Sequence, residues 1–377
     1  MDRTTAYLIS CSDHYNHRFL AASEKLRELG YHTIYVTSDF DHTTKAPFAC
    51  QVPGCVQLHA LPYKKNLSVE RIMSHFFFAR DLLRYLENLP EEPGVIIALL
   101  PPNFLALYLG KYKERHPDVK LFFDIFDLWP ETFPSGKLGK LLSPFFRVWA
   151  WIRNHSIPKA DWVIAECDYF RKRLGLDEEW SSTVYLCLDQ TDIKPETVKL
   201  SKDRLELCYL GAINNVIGIS EICDLLRKLV EVKPVTLHVI GTGERQEEFM
   251  ESVKMAGAEV VYYGAVYDWE KKQEIINRCH FGLNVINADA CIGLTMKSVD
   301  YLRSGLPIIS NVPGDTQQLI AAYHAGIQLD GNCAERIANM TVAENLQMRK
   351  NATQLYEGNF SKKVVREKYQ RLFETLL

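Results

Sequence analysis

The sequence predicts an α/β protein of two domains, each a parallel sheet wrapped by helices. Three observations carry that expectation. Short apolar runs alternate with amphipathic helical stretches along the chain, the pattern left by right-handed β–α–β crossovers. The alternation occurs twice, broken by a polar, lysine-containing segment from Asp189 to Arg204 with Pro195 inside it, which suits a linker. Finally, 377 residues fit two cores of ordinary size. The expected boundaries are 1–190 for the first domain, 204–360 for the second, and 361–377 for a terminal helix.

In the first half, Thr5 to Ser10 reads as a buried strand, Gly30 ends the following helix, and His32 to Val36 makes the next strand. This is a Rossmann-like opening without G-x-G-x-x-G, so it predicts no dinucleotide site. Its first loop holds Asp13, His14, Asn16 and His17, which serve either as caps and solvated loop groups or as ligand contacts. A strand at Val56–Leu61, a helix from Ser68 to Leu89 capped by Ser68, a central strand Gly94–Leu100, a helix Pro102–His116 and a strand Lys120–Phe126 follow. Asp127 and Glu131 lie just past that last strand, where ligands of open α/β sheets bind; for Asp127 a cap on the next turn is the alternative. Lys137 to Lys159 combines basic residues with Phe145, Phe146, Trp149 and Trp151. It reads as a core-packing helix, or else as a helix resting on a membrane surface. Strand Ala160–Glu166, helix Asp168–Leu174 and strand Val184–Leu188 close the half.

The second half restarts with strand Leu205–Leu210 and a turn at Gly211. Strand Val235–Ile240 ends in Gly241-Thr-Gly243, and strand Val260–Tyr263 ends at Gly264. After strand Phe281–Ile286 comes the stretch on which the chain is organised, Cys291 to Ser310. Gly293 makes a turn, Leu294 to Arg303 a short helix, Gly305 a stop, and Pro307-Ile-Ile a strand. A glycine turn at a helix N-terminus presents unpaired N–H groups and a positive dipole end, which suits a phosphate. Lys297 in the first turn adds a full charge, and Asp300 on the same face can accept from a ribose diol. On spacing alone the same residues fit an ordinary helix with Lys297 and Asp300 solvated.

Composition bounds the function. Hydrophobic residues at 47% and charged residues at 24% describe a globular chain, and a net charge of -3 gives no global attraction to nucleic acid or anionic lipid. Ten cysteines without a C-x-x-C pair, several in apolar runs (Cys187, Cys208, Cys223), read as buried thiols of a reducing cytosol. The first apolar stretch is too short for a signal peptide, and Pro101 and Pro102 interrupt the longest one, so no membrane span is expected.

Gly293-Leu-Thr-Met-Lys297-Ser-Val-Asp300-Tyr-Leu-Arg-Ser-Gly305-Leu-Pro-Ile-Ile resembles the donor-binding segment of GT-B glycosyltransferases of family 4. Asp127-Leu-Trp-Pro-Glu131 resembles a subgroup of that family acting in surface-polysaccharide assembly. The resemblance implies the GT-B fold, two Rossmann-like domains facing each other across a cleft, with the terminal helix crossing back to the first. It implies a retaining hexosyl- or N-acetylhexosaminyl-transferase that uses a nucleotide-diphosphate sugar, a UDP-sugar, with no metal or cofactor, and a glycan or lipid-linked acceptor.

It further implies catalytic roles for Lys297 and Asp127. Donor contacts would come from Gly211, Asn214, Asn215, Gly241, Gly243, Ala265, Val266, Gly293, Leu294, Thr295 and Asp300. Asp13, His14, Asn16, His17 and Glu131 would lie on the acceptor side. The implied location is cytoplasmic, with peripheral contact at the inner membrane face through 137–159, and no nucleic-acid partner. Three departures stand out. Ile292 replaces a glutamate that touches the donor sugar, Phe126 replaces a histidine, and Asn214 and Asn215 stand near an expected Arg/Lys pair. They keep two rivals open, a UDP-sugar epimerase of the same fold and a non-catalytic partner protein.

Overall fold

Val95–Leu100 is buried at every residue, and a strand covered on both faces belongs in the middle of a parallel sheet. In the computed structural model it does so. Residues 5–12, 16–66, 68–132, 136–188, 198–287 and 290–377 are described, and they form two units, Met1–Tyr185 with Val365–Leu377 and Leu186–Val364.

The first unit runs β1 (Thr5–Ile9), α1 (Asn16–Glu28), β2 (His32–Ser38), a small antiparallel pair β3 (Phe40–Asp41) and β4 (Ala46–Pro47), and β5 (Val56–Leu58). Then come α2 (Val69–Glu87), β6 (Val95–Leu100), α3 (Asn103–Arg115), β7 (Lys120–Ile125), α4 (Gly136–Ser156), β8 (Trp162–Ala165), α5 (Asp168–Arg173) and β9 (Ser181–Thr183). Its main sheet is parallel throughout, in the order β5-β2-β1-β6-β7-β8-β9. The order reverses between β1 and β6, so their carboxyl ends flank the crevice where such sheets take ligands.

Ser68 caps α2 by accepting from the Arg71 amide, as expected from the sequence. The last strand differs from expectation. Polar Ser181–Thr183 pairs with β8, whereas apolar Val184–Leu188 leaves the sheet after the Val184 amide bonds the Ala165 carbonyl. An edge strand tolerates polar residues, and the apolar run is buried by packing instead. On α4, Trp149 is buried while Phe145, Val148 and Trp151 are 41%, 58% and 56% exposed. The helix therefore does pack, but with only part of its aromatic surface.

A buried ion pair ties this unit together. Arg18 Nε donates to Asp124 Oδ2 at 2.5 Å and its Nη1 to the Val184 carbonyl, while the Tyr369 hydroxyl reaches the same carboxylate at 3.4 Å. Tyr369 belongs to the terminal helix α13 (Lys362–Leu376), whose Phe373 packs edge-on to Phe122 of β7.

The second unit contains β10 (Leu205–Leu210), α6 (Ile219–Val230), β11 (Val235–Ile240), α7 (Gln246–Met255), β12 (Glu259–Gly264), α8 (Trp269–Ile276) and β13 (Phe281–Asn284). α9 (Met296–Arg303), β14 (Ile308–Ser310), α10 (Asp315–Tyr323), β15 (Gly326–Gln328), α11 (Cys333–Ala338) and α12 (Val342–Asn359) complete it. Its sheet is parallel, in the order β12-β11-β10-β13-β14-β15, the doubly wound order with its reversal between β10 and β13.

Tyr301 fixes α9 across that reversal point. Its hydroxyl accepts from the Leu210 amide at 2.6 Å and donates to the Cys208 carbonyl at 3.1 Å. Its ring occupies the space beside Gly282, where a Cβ would come within 2.7 Å of it. α9 is thus held directly over the carboxyl ends of β10 and β13.

Candidate functional site

The carboxyl ends of β10, β11 and β12 are stitched by backbone. The Gly211 amide donates to the Ile240 carbonyl, the Gly241 amide to the Gly264 carbonyl, and the Ile213 amide to the Thr242 carbonyl. The two glycine turns interlock so closely that a Cβ at Gly241 would stand 1.9 Å from the Gly211 oxygen, and one at Gly243 2.2 Å from the Ile213 oxygen. These glycines bring one loop against the next, a packing role read directly from their contacts. Ala265 and Val266 follow Gly264 on the loop after β12, Ala265 exposed and Val266 partly so.

Onto this platform α9 delivers Lys297. Thr295 caps the helix, its hydroxyl accepting from the Ser298 amide while the Thr295 amide donates to Ser298 Oγ at 3.4 Å, a reciprocal capping box. The helix therefore begins at Met296, two residues later than the sequence suggests. Gly293 and Leu294 are buried, and the Gly293 carbonyl accepts from the Thr316 amide and hydroxyl. The Thr295 amide being used in the cap, the amides of Met296 and Lys297 are those that helix geometry leaves without an intrahelical partner.

Lys297 Nζ lies 3.2 Å from the Tyr209 hydroxyl and 4.5 Å from the centre of its ring, and its stem runs past Gly211. The Tyr209 hydroxyl donates to the Ala212 carbonyl. No carboxylate among the described residues pairs with Lys297. Burial lowers its pKa to about 8, so the surrounding protein compensates the ammonium form poorly. A partly buried cation over an aromatic face, beside helix-terminal amides, has chemistry suited to an anion.

The other donor-side candidates are partly occupied by the chain itself. Asn214 Oδ1 accepts from the Val216 amide, and Asn215 Nδ2 donates to Glu244 Oε1 at 2.5 Å, so both asparagines shape their loop. Asp300 is held by Arg303 at 2.6 Å and Lys272 at 3.3 Å. Those contacts use one donor per carboxylate oxygen, and each oxygen can accept a second.

In the first unit, Asp127 lies in a crevice at the reversal point of the sheet. Its walls include Ser10 and Ser12 after β1, Pro101 and Pro102 after β6, Tyr63, Trp129, and Arg71 and His75 of α2. The Asp127 carboxylate accepts from Trp129 Nε1 and Thr132 Oγ1, both at 2.6 Å. It thus both braces its turn and lines the crevice, and burial raises its pKa against those hydrogen bonds. Phe126 lines the same crevice.

Glu131 has a different setting from the one expected. Arg153 grips it with two nitrogens, at 2.9 and 2.7 Å, and also donates to the Trp129 carbonyl. This pair is a brace for the turn, outside the crevice lining. Asp13 and His14 lie outside the described residues, as do the side chains of Asn16 and His17 at the start of α1. Sequence reasoning passed over Arg71 and His75, because polar residues on a long amphipathic helix look like its solvated face.

Residues 204–343 match the family model described as glycosyl transferases group 1. No curated protein matches the sequence. HepE of Anabaena, solved in complex with UDP, aligns with a TM-score of 0.66 over 99% of this chain and 100% of its own, at 13% identity. WaaB, described as a lipopolysaccharide outer core galactosyltransferase, aligns with a TM-score of 0.67 over 99% of both chains at 14% identity. WaaG, described as a glycosyltransferase involved in lipopolysaccharide biosynthesis, gives 0.62 over 97% and 99% at 13%. At such identities the likeness is one of fold, and the fold is GT-B. The family match lies within the second unit.

The lowered pKa of Lys297 has a consequence for stability. Its folded value of about 8 lies below the roughly 10.4 of an unfolded lysine, so between those values the unfolded chain binds more protons. This group alone therefore makes folding more favourable as pH rises through that window. Lys297→Met removes the effect. Urea midpoints at pH 7 and at about pH 9.5 should show the variant's advantage over wild type shrinking at the higher pH; an unchanged gap contradicts an uncompensated ammonium.

Proposed function

We propose that this enzyme transfers a sugar, with retention of anomeric configuration, from a UDP-sugar to a glycan or lipid-linked acceptor in cell-surface polysaccharide synthesis. The observation that carries the proposal is the Lys297 ammonium, partly buried over Tyr209 at the reversal point of the second sheet without a carboxylate partner among the described residues. A nucleoside diphosphate supplies the missing charge. Its phosphates would meet Lys297, the first amides of α9 and the turn at Gly211. As the bond to the sugar breaks, charge grows on the departing diphosphate, and this preorganised set stabilises it. The diphosphate oxygen so released can take the acceptor's proton, which leaves the protein the tasks of orientation and water exclusion.

Lysine and helix amides take the role a divalent cation would have, so no metal is required in this reading. Ligand-bound relatives point to the nucleotide class: HepE was solved with UDP, with UDP and glucose, and with UDP-glucose. The crevice around Asp127 would take the acceptor sugar. The apolar outer face of α4, with Arg147 exposed beside Val148, is compatible with an acceptor held at a membrane surface.

The direct experiment is UDP release from UDP-glucose, UDP-galactose and UDP-N-acetylglucosamine, with and without sugar acceptors, in excess EDTA. Acceptor-dependent release that survives EDTA, giving a product with the donor's anomeric configuration, is the expected result. Turnover that vanishes in EDTA and returns with magnesium or manganese contradicts the leaving-group chemistry, and isomerised UDP-sugar without an acceptor identifies an epimerase.

Asp300, oriented by Arg303 and Lys272, would accept from the ribose O2′ and O3′ hydroxyls. Wild type should then bind UDP more tightly than 2′-deoxy-UDP, and Asp300→Asn should remove most of the difference. Equal binding of the two nucleotides by wild type assigns Asp300 to the ion pair alone.

A further inference from the structure

His75 of α2 is only 4% exposed, and Nδ1 is fully enclosed without a hydrogen-bond partner. No hydrogen bond of either ring nitrogen to a described residue is present, and what remains accessible of the side chain belongs to the Asp127 crevice, which His75 lines. A buried imidazole without partners forfeits hydrogen bonds it made to water, a cost proteins seldom carry idly. The ring is not loose: it stacks on Trp129 with centroids 5.7 Å apart and planes 26° from parallel, and stands edge-on to Tyr63 at 6.4 Å. Burial and the nearby Arg71 guanidinium keep it neutral, so it offers one donor and one acceptor in a fixed orientation.

We propose that His75 is a specificity-determining sugar ligand, hydrogen-bonding a hydroxyl of the acceptor hexose through the ring edge that meets the crevice. This rests on the reading that the first unit's crevice takes the acceptor. A pyranose has matching chemistry, hydroxyls around its rim that both donate and accept. His75, Asp127, Ser10 and Ser12 line the crevice with polar groups, while Arg71 lies over the Trp129 ring at 4.2 Å and Lys45 over the Tyr63 ring at 4.7 Å. With Nδ1 enclosed, the nitrogen at the other edge of the neutral ring can donate to a hydroxyl or accept from one according to tautomer, without demanding an anionic substrate.

The test is direct binding. The protein, labelled with ¹³C at the histidine ring Cε1, is titrated with the methyl glycosides of glucose, galactose, mannose and N-acetylglucosamine, and His75→Phe assigns the His75 resonance by its disappearance. At least one glycoside should shift that resonance saturably. His75→Phe keeps an aromatic ring and removes the orphan nitrogens, so it should fold, yet weaken that glycoside at least tenfold; His75→Gln should recover part of the loss. If no glycoside shifts the resonance, or if His75→Phe binds the glycoside as wild type does, the assignment is wrong. Calorimetry with UDP on the same samples separates this from the wider reading. UDP binding intact without a glycoside response overturns His75 alone, whereas absent UDP binding with a glycoside response overturns the proposed donor.

Discussion

Moving an ammonium from water into a crevice of low dielectric costs free energy unless an opposite charge answers it. The second unit makes that move with Lys297, and much of its local architecture serves to hold the group there. Tyr301 fixes α9 to the backbone of β10, the capping box fixes where the helix begins, and Gly211 leaves room for the lysine stem. The interlocked turns at Gly211 and Gly241–Gly243 present backbone rather than side chains beside the ammonium. Each feature is a modest contribution. Together they hold the cation at the reversal point of the sheet in a setting suited to an anion.

The first unit has the same sheet logic and a different chemistry. Its crevice also sits at the point where strand order reverses, but its walls are aromatic and mostly neutral, with the Asp127 carboxylate held by Trp129 and Thr132. Around it the supporting structure is ionic and buried: Arg153 with Glu131 under the Trp129 turn, and Arg18 with Asp124 beneath α13. Removing one partner of such a pair strands a charge, which costs about 3–5 kcal/mol. These pairs therefore couple the crevice's geometry to the folding of the unit.

The parallel sheets and the Lys297 helix were legible in the sequence because they rest on local rules: apolar runs, glycine stops and a lysine in a first turn. What escaped depends on three-dimensional neighbours. Asp300 offered a ribose contact or an ion pair on spacing alone, and Lys272, decisive for its orientation, lies on a different helix. Glu131 looked like a crevice group because it follows a strand, yet buried Arg153 from α4 claims it. His75 and Arg71 gave no local signal, since only packing against Trp129 shows which face of α2 they serve. The polar edge strand at Ser181–Thr183 escaped for a related reason: an edge is defined by what lies beside it, and a polar tripeptide before an apolar run reads as a turn.

The account depends most on the claim that Lys297 awaits a diphosphate. Calorimetric titration of UDP into wild type and Lys297→Met at pH 7 tests it most directly. A charge-assisted contact of this kind should be worth about 1.5–3 kcal/mol, so the variant, folded by circular dichroism, should bind UDP roughly ten- to a hundredfold more weakly. Equal affinity in a folded variant would show that the buried ammonium answers to something other than the nucleotide.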